Sequence, residues 1–302
     1  MATSIIITNE SIKILVGKFS GTKVVVEKVI NAPLDEGIIL NGIITDDFAL
    51  RKKFEEIWRI NKLSTKNLNL VIDSSSIQIK ILDAPRLNQK KLLQFVKGEF
   101  PEIENPDDMV FDYSVISLKN DEGGVRLLAC CAEREYIESY MEVFNALKFD
   151  IDKIDITLNA MIKVFSFLKM YKNKTFVITS IDKNTAAQAL FVNGNYSFYK
   201  RFRVVAERGS EEFFNEIDRS LSTIIQFNKS EKTGFDITDM YFGGLTEEEE
   251  SFLPAWCETT GCAVAKLPDN HQITFKSQKK ATAVKPTLSD YIYSVGNLIE
   301  LK

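Results

Sequence analysis

The densest run of acidic side chains, Glu247-Glu248-Glu249-Glu250 directly after Thr246, could hold a hard cation or meet a basic partner. The same residues read more plainly as a helix start, with Thr246 as the capping hydroxyl and the acids against the positive end of the dipole. Nucleophilic or soft-metal chemistry would fall to four cysteines and one histidine. Cys130 and Cys131 are adjacent in an apolar run, 126–132, where a strand would turn them to opposite faces. Cys257 and Cys262 have no histidine at zinc-site spacing. All four read as free thiols of a reducing compartment. His271, in Pro268-Asp269-Asn270-His271-Gln272, has the sequence of an exposed loop, so imidazole acid–base chemistry is not expected. Lys276, Lys279, Lys280 and Lys285 could touch anionic lipid, but they fit a solvated linker before a last helix. No metal site and no catalytic triad stands out.

Composition narrows the choice further. Of 302 residues 45% are hydrophobic and 26% charged, enough for a core in each of two domains. A net charge of -4 argues against nucleic acid, whose binding rewards a basic face. No stretch reaches the ~18 apolar residues of a membrane span. Met1-Ala2-Thr3-Ser4 followed by three isoleucines lacks the basic start of a signal peptide. The expectation is a soluble, cytoplasmic protein that reaches a membrane only through partners.

The elements that must position any site form a pattern that occurs twice. Residues 4–8, 11–19 and 23–31 read as a three-stranded meander with Ser20-Gly21-Thr22 as a turn. A helix over 46–62 follows, with Phe48, Phe54, Ile57 and Trp58 on its apolar face, and then a strand over 69–74. From residue 174 the order returns: strands over 175–179, 185–192 and 196–204, turned at Asn193-Gly194-Asn195. A long amphipathic helix over 209–229 and a strand over 239–242, ending in Gly243-Gly244, complete it. Strand-strand-strand-helix-strand twice in one chain implies a duplicated two-lobed α/β protein. Between the copies, residues 84–147 read helix, strand, strand, helix, with Gly123-Gly124 at the hairpin. A helix over 156–172 leads onward. The expected domains are 1–83 with 148–172, the insert 84–147, and 173–302.

The insert carries a resemblance. Lys90-Lys91-Leu92-Leu93-Gln94-Phe95-Val96, then Glu99-Phe100-Pro101 and Asp107-Asp108-Met109-Val110-Phe111-Asp112-Tyr113, is similar to the helix, aromatic-proline break and acidic strand of the type IV pilus assembly PilM family. Leu127-Leu128-Ala129, Arg134-Glu135, the strand ending at Asp155, Ile217-Asp218-Arg219 and Tyr241-Phe242-Gly243-Gly244 continue it, and residues 291–298 resemble the closing helix. The cytoplasmic domain of the type II secretion protein GspL is a close sister. The resemblance implies an actin-like (ribonuclease H-like) duplicated two-lobed fold with a small inserted α+β subdomain.

In that superfamily the meander turns hold nucleotide phosphates, commonly as Asp-x-Gly, because glycine lets backbone N–H groups reach the anion and aspartate helps hold magnesium. Here the first turn is Thr8-Asn9-Glu10-Ser11 and the second Thr179-Ser180-Ile181-Asp182-Lys183-Asn184-Thr185, neither with glycine. Only Gly243-Gly244 keeps the expected place near an adenosine. A further subdomain usual before the long helix is reduced to Ala206-Glu207-Arg208-Gly209. The resemblance thus implies a degenerate nucleotide site: no catalytic residues, no metal, no required cofactor, with ATP and magnesium doubted. It also implies a scaffold at the inner face of the cytoplasmic membrane, among other pilus platform components. Its groove candidates are Phe95, Phe100, Met109, Phe111 and Tyr113, which either receive the short cytoplasmic tail of a PilN-like single-span protein or form the insert's own core. The rivals are a working actin-like ATPase and a cell-division protein of the FtsA type.

Overall fold

The structure, a computed structural model, describes residues 1–118, 123–276 and 285–300. It divides into two compact units, residues 1–161 with 293–300, and residues 162–292. In chain order the first unit opens with β1 (Ala2–Ile7), β2 (Ser11–Phe19) and β3 (Val24–Pro33), an antiparallel meander. A small hairpin, β4 (Ile39–Leu40) and β5 (Ile43–Ile44), precedes α1 (Asp47–Asn61) and β6 (Leu68–Ile72). The insert follows as β7 (Gln78–Pro85), α2 (Gln89–Gly98), β8 (Met109–Leu118) and β9 (Gly124–Glu133). Then come α3 (Arg134–Ala146), β10 (Ile151–Ile156) and α4 (Thr157–Phe167). The division between the units falls inside α4, where the sequence suggests residue 172.

The second unit repeats the plan with β11 (Phe176–Asp182), β12 (Thr185–Val192), β13 (Asn195–Arg203), α5 (Glu211–Ser230) and β14 (Asp239–Gly243). It adds α6 (Leu253–Thr260) and β15 (Ala263–Lys266), and α7 (Leu288–Leu298) begins in it and ends in the first unit. Strand order is β3-β2-β1-β6-β10 within the first unit and β13-β12-β11-β14-β15 in the second. In each, β1 or β11 is antiparallel to the meander and parallel to the strand after the helix. The same topology twice makes this a duplicated α/β fold of the expected kind.

Both units are held by burial on two faces of the central strands, which explains their near-continuous apolar sequence. α1 starts where Asp46 accepts the Ala49 N–H at 2.8 Å, and it buries Leu50, Phe54, Ile57 and Trp58. Phe54 and Trp58 meet Phe144 and Phe149, at 5.1 and 4.4 Å between ring centres. Phe48 does not join this face. It sits about 200° round the helix from Leu50, is exposed, and carries the Lys52 ammonium 4.3 Å above its ring. In the second unit α5, capped by Ser210, lays Phe213, Ile217, Leu221 and Ile224 on the sheet. Trp256 stacks between Phe214 and Phe242. The β12–β13 hairpin turns at Asn193 and Gly194, both at positive φ (49° and 76°), which matches the twist of the flanking strands.

The insert differs from expectation at both ends. Its sheet has three strands, β7-β9-β8, because residues 78–85 pair with β9 ahead of the expected start at 84. At the far end α3 leaves the insert. Tyr140, Val143 and Phe144 join the main core of the first unit, while α2 covers the insert's sheet.

Candidate functional site

In open parallel sheets ligands sit at the carboxyl ends of the strands, so the first turn to inspect is the one after β1. Thr8 folds back on itself there. Its Oγ1 accepts the N–H groups of Glu10 (3.3 Å) and Ser11 (3.2 Å), and its own N–H bonds the Ser11 carbonyl at 2.9 Å. The N–H groups of Thr8, Glu10 and Ser11 are thus spent within the turn. The Asn9 side chain is also engaged, accepting the Gly42 N–H at 3.3 Å from the β4–β5 hairpin. At the ends of β6 and β10 the carboxylates have partners too. Asp73 accepts the Thr157 hydroxyl at 3.0 Å, and Asp155 accepts Ile156 N and Asn159 Nδ2, each at 2.8 Å.

The second unit corrects the extent of its turn. β11 continues to Asp182, which pairs with Thr185, so the turn is only Lys183-Asn184, with Lys183 at φ 47°. Thr179 and Ser180 are therefore strand residues, not turn residues. Thr179 is buried and accepts Gln188 Nε2, whose amide oxygen takes the Ser220 hydroxyl of α5. Gly243 ends β14 against the Ser289 carbonyl. Gly244, at φ 77°, lies so close to Ile181 that a Cβ would stand 1.9 Å from its carbonyl oxygen.

Arg208 holds these pieces together. Its guanidinium donates to the Lys183 carbonyl and the Gly244 carbonyl, each at 2.9 Å, and to both carboxylate oxygens of Glu249. The Glu249 side chain is fully buried and that of Arg208 is 20% exposed. Glu249 also accepts the Thr246 N–H at 2.9 Å, while Thr246 Oγ1 accepts the Glu249 N–H at 3.2 Å, a reciprocal cap. Burial pushes this carboxyl up, but the bonds from Arg208 and Thr246 outweigh it and hold it below the usual carboxylate range. Glu249 is thus an ion-pair partner as well as an acid at a helix start. The segment carrying Arg208, residues 204–210, is all that joins β13 to α5. The face that meets Arg208 is made of the Lys183 and Gly244 carbonyls.

The five aromatic and methionine candidates all belong to the core of the insert. Phe100 and Phe111 are buried, with ring centres 5.7 Å apart, so they fill the subdomain rather than offer a groove. Phe95, Met109 and Tyr113 are partly buried against them, and the Tyr113 hydroxyl donates to the Gln89 carbonyl at 3.3 Å. Met109 also borders a cavity of about 590 Å³ that the sequence does not reveal, lined by the start of β7, residues 102–108 and the first turns of α3.

Among the described residues no cluster of three or more histidine, cysteine, aspartate or glutamate side chains is arranged to hold a metal. The four cysteines are free. His271 is exposed; Lys276 and Lys285 lie at the edges of the described chain, and Lys279 and Lys280 outside the described residues. No described helix is long and apolar enough to cross a membrane. Sequence reasoning missed Arg208, read only as linker, and the burial of Glu249. A signal was there for Glu249 alone, since the third residue after a capping threonine is the reciprocal position of a capping box.

Residues 4–228 match the family described as type IV pilus assembly protein PilM. Among solved structures, a PilM-PilN type IV pilus biogenesis complex superposes with a TM-score of 0.79 at 10% identity, over 98% of this chain and 97% of that one. A Bacteroides thetaiotaomicron protein with an actin-like ATPase fold and unknown function gives 0.53 at 10% identity, over 88% and 90%. The ethanolamine utilization protein EutJ of Carboxydothermus hydrogenoformans gives 0.52 at 7%, over 98% and 88%. No curated protein matches.

Proposed function

The chain belongs to the type IV pilus assembly protein PilM family, and from that premise we propose that it is a scaffold that binds the cytoplasmic tail of a PilN-like membrane protein without hydrolysing ATP. It works at the inner face of the cytoplasmic membrane and reaches that membrane through its partner. Support for the partner comes from the likeness to a structure solved as a PilM-PilN complex. The loss of ATP chemistry rests on one observation, the second-unit turn whose carbonyls face Arg208. The first turn, which consumes its own N–H groups on Thr8, agrees with it.

Thermal unfolding with millimolar Mg-ATP, alongside phosphate release, tests the second half of this reading. A ligand at a hundred times its Kd stabilises the folded state by about 2.7 kcal/mol. The expected result is no shift and no phosphate. A rise of several degrees with turnover would instead support the rival ATPase, whose remaining feature is the Gly243-Gly244 pair at the end of β14.

A further inference from the structure

The two faces of the first unit's central strands differ in kind. Ile5 and Ile7 of β1 and Leu68, Leu70 and Ile72 of β6 belong to the main apolar core. Ser4 and Asn69 alternate with them and so lie on the opposite face, which receives the end of α7. There Asn297 Nδ2 donates to Ser4 Oγ at 3.2 Å and to the Asn69 carbonyl at 3.0 Å. Asn69 Nδ2 donates to the Asn297 carbonyl at 3.5 Å. Turning either amide over would set its oxygen against a carbonyl oxygen, so both Oδ1 atoms point away from these partners. Asn69 Oδ1, Asn297 Oδ1 and Ser294 Oγ, one helical turn before Asn297, have no hydrogen-bond partner among the described residues. The three residues are 3%, 0% and 1% exposed, so bulk solvent does not reach them. Nor can the helix slide to satisfy them. A Cβ on Gly296 would stand 1.9 Å from the Ala160 carbonyl oxygen, and one on Gly17 would stand 2.8 Å from Leu298 Cδ1. The end of α7 is thus already in close contact with α4 and β2.

Two of these three groups only accept, and the third has a proton to give. A water molecule complements that set. It donates to both amide oxygens and accepts the Ser294 hydroxyl, which makes the three bonds usual for a buried water. A monovalent cation would suit the amide oxygens but leave the hydroxyl proton unpaired, and no carboxylate in the set would balance its charge. We propose that one internal water is a fixed part of the first unit, bound by Asn69 Oδ1, Asn297 Oδ1 and Ser294 Oγ, and that it holds residues 293–300 in register on β1 and β6. Buried polar groups must meet their partners, so a network of this kind specifies one seating of the segment where apolar packing alone would accept several.

The test begins with high-resolution crystals of the full natural chain. Electron density is expected to show one ordered water at about 2.7–3.2 Å from all three oxygens, and a crystal soaked in rubidium chloride to show no anomalous peak there. No density between the three oxygens would overturn the proposal, and a rubidium peak would replace the water with a cation. The second measurement is hydrogen exchange on N69L/S294A. That variant leaves Asn297 Oδ1 as the one remaining partner, below the two that a buried water needs. Amides of residues 293–300 are expected to exchange about tenfold faster than in the natural chain, while β11 and β12 keep their protection. Unchanged exchange in 293–300 would overturn the register role. The crystals use the natural chain, so a variant that failed to fold would not remove the test.

Discussion

Replacing Arg208 with methionine removes one partner of a buried ion pair and leaves the other in place. Glu249 is fully buried, and in the variant its carboxylate would keep only the Thr246 N–H. Losing one member of a buried pair costs about 3–5 kcal/mol, because the remaining charge is uncompensated. Arg208 is 20% exposed, so water can reach the gap, and we expect the lower end, about 3 kcal/mol. In a unit of this size that is about 10 °C in melting temperature. The carbonyls of Lys183 and Gly244 also lose their donor, so amide exchange is expected to rise in residues 181–185 and 244–250 together. The double variant R208M/E249M replaces both charges with apolar groups and is expected to recover most of the loss. Thermal melts of the natural chain and the three variants R208M, E249M and R208M/E249M close the cycle. An R208M melt within about 1 °C of the natural chain would refute the reasoning, since no buried pair that mattered could be lost so cheaply. A double variant as damaged as the sum of the singles would show that the two residues act independently.

Other expectations follow from the same geometry. Gly244→Ala places a Cβ 1.9 Å from the Ile181 carbonyl at φ 77°, and is expected to cost at least about 2 kcal/mol in a denaturant melt. Phe100→Ala empties the insert's core at a cost of about 3–5 kcal/mol, and is expected to speed amide exchange in β7, β8 and β9 while the second unit keeps its protection. Glu249 has its folded-state pKa lowered, so its contribution is complete above the unfolded value and is lost as pH falls through the folded one. Asp239, held below its usual range by Thr238, Lys174 and Tyr241 against its own burial, acts in the same direction. Melts below about pH 4 are therefore expected to show a steeper acid loss for the natural chain than for Glu249→Gln.

Much of the fold was legible because its signals are local. Period-two runs, the Asn193-Gly194 turn and the stripe of α5 each name their element, and their repetition names the duplication. β7 was legible in principle, since Gln78-Ile79-Lys80-Ile81-Leu82 alternates, but it falls between two expected elements and pairs with a strand some fifty residues on. Phe48 misled because a helix start holds apolar residues that lie off the buried stripe. The candidate site was less legible for a different reason. That Thr8 bonds its own turn, that β11 runs to Asp182, and that Arg208 reaches Glu249 are facts of register and side-chain reach, not of residue type. The acidic cavity is hidden for the same reason, as its carboxylates come from two separate stretches of chain, 102–108 and 133–138.

The most direct test of the scaffold reading is to mix the purified chain with the PilN-like membrane protein of the same genome, in detergent and without nucleotide, and to measure their elution together by size exclusion with light scattering. The account predicts one complex of defined stoichiometry that forms without nucleotide and is unchanged by Mg-ATP. Separate elution, or a complex that forms only when Mg-ATP is present, would contradict it.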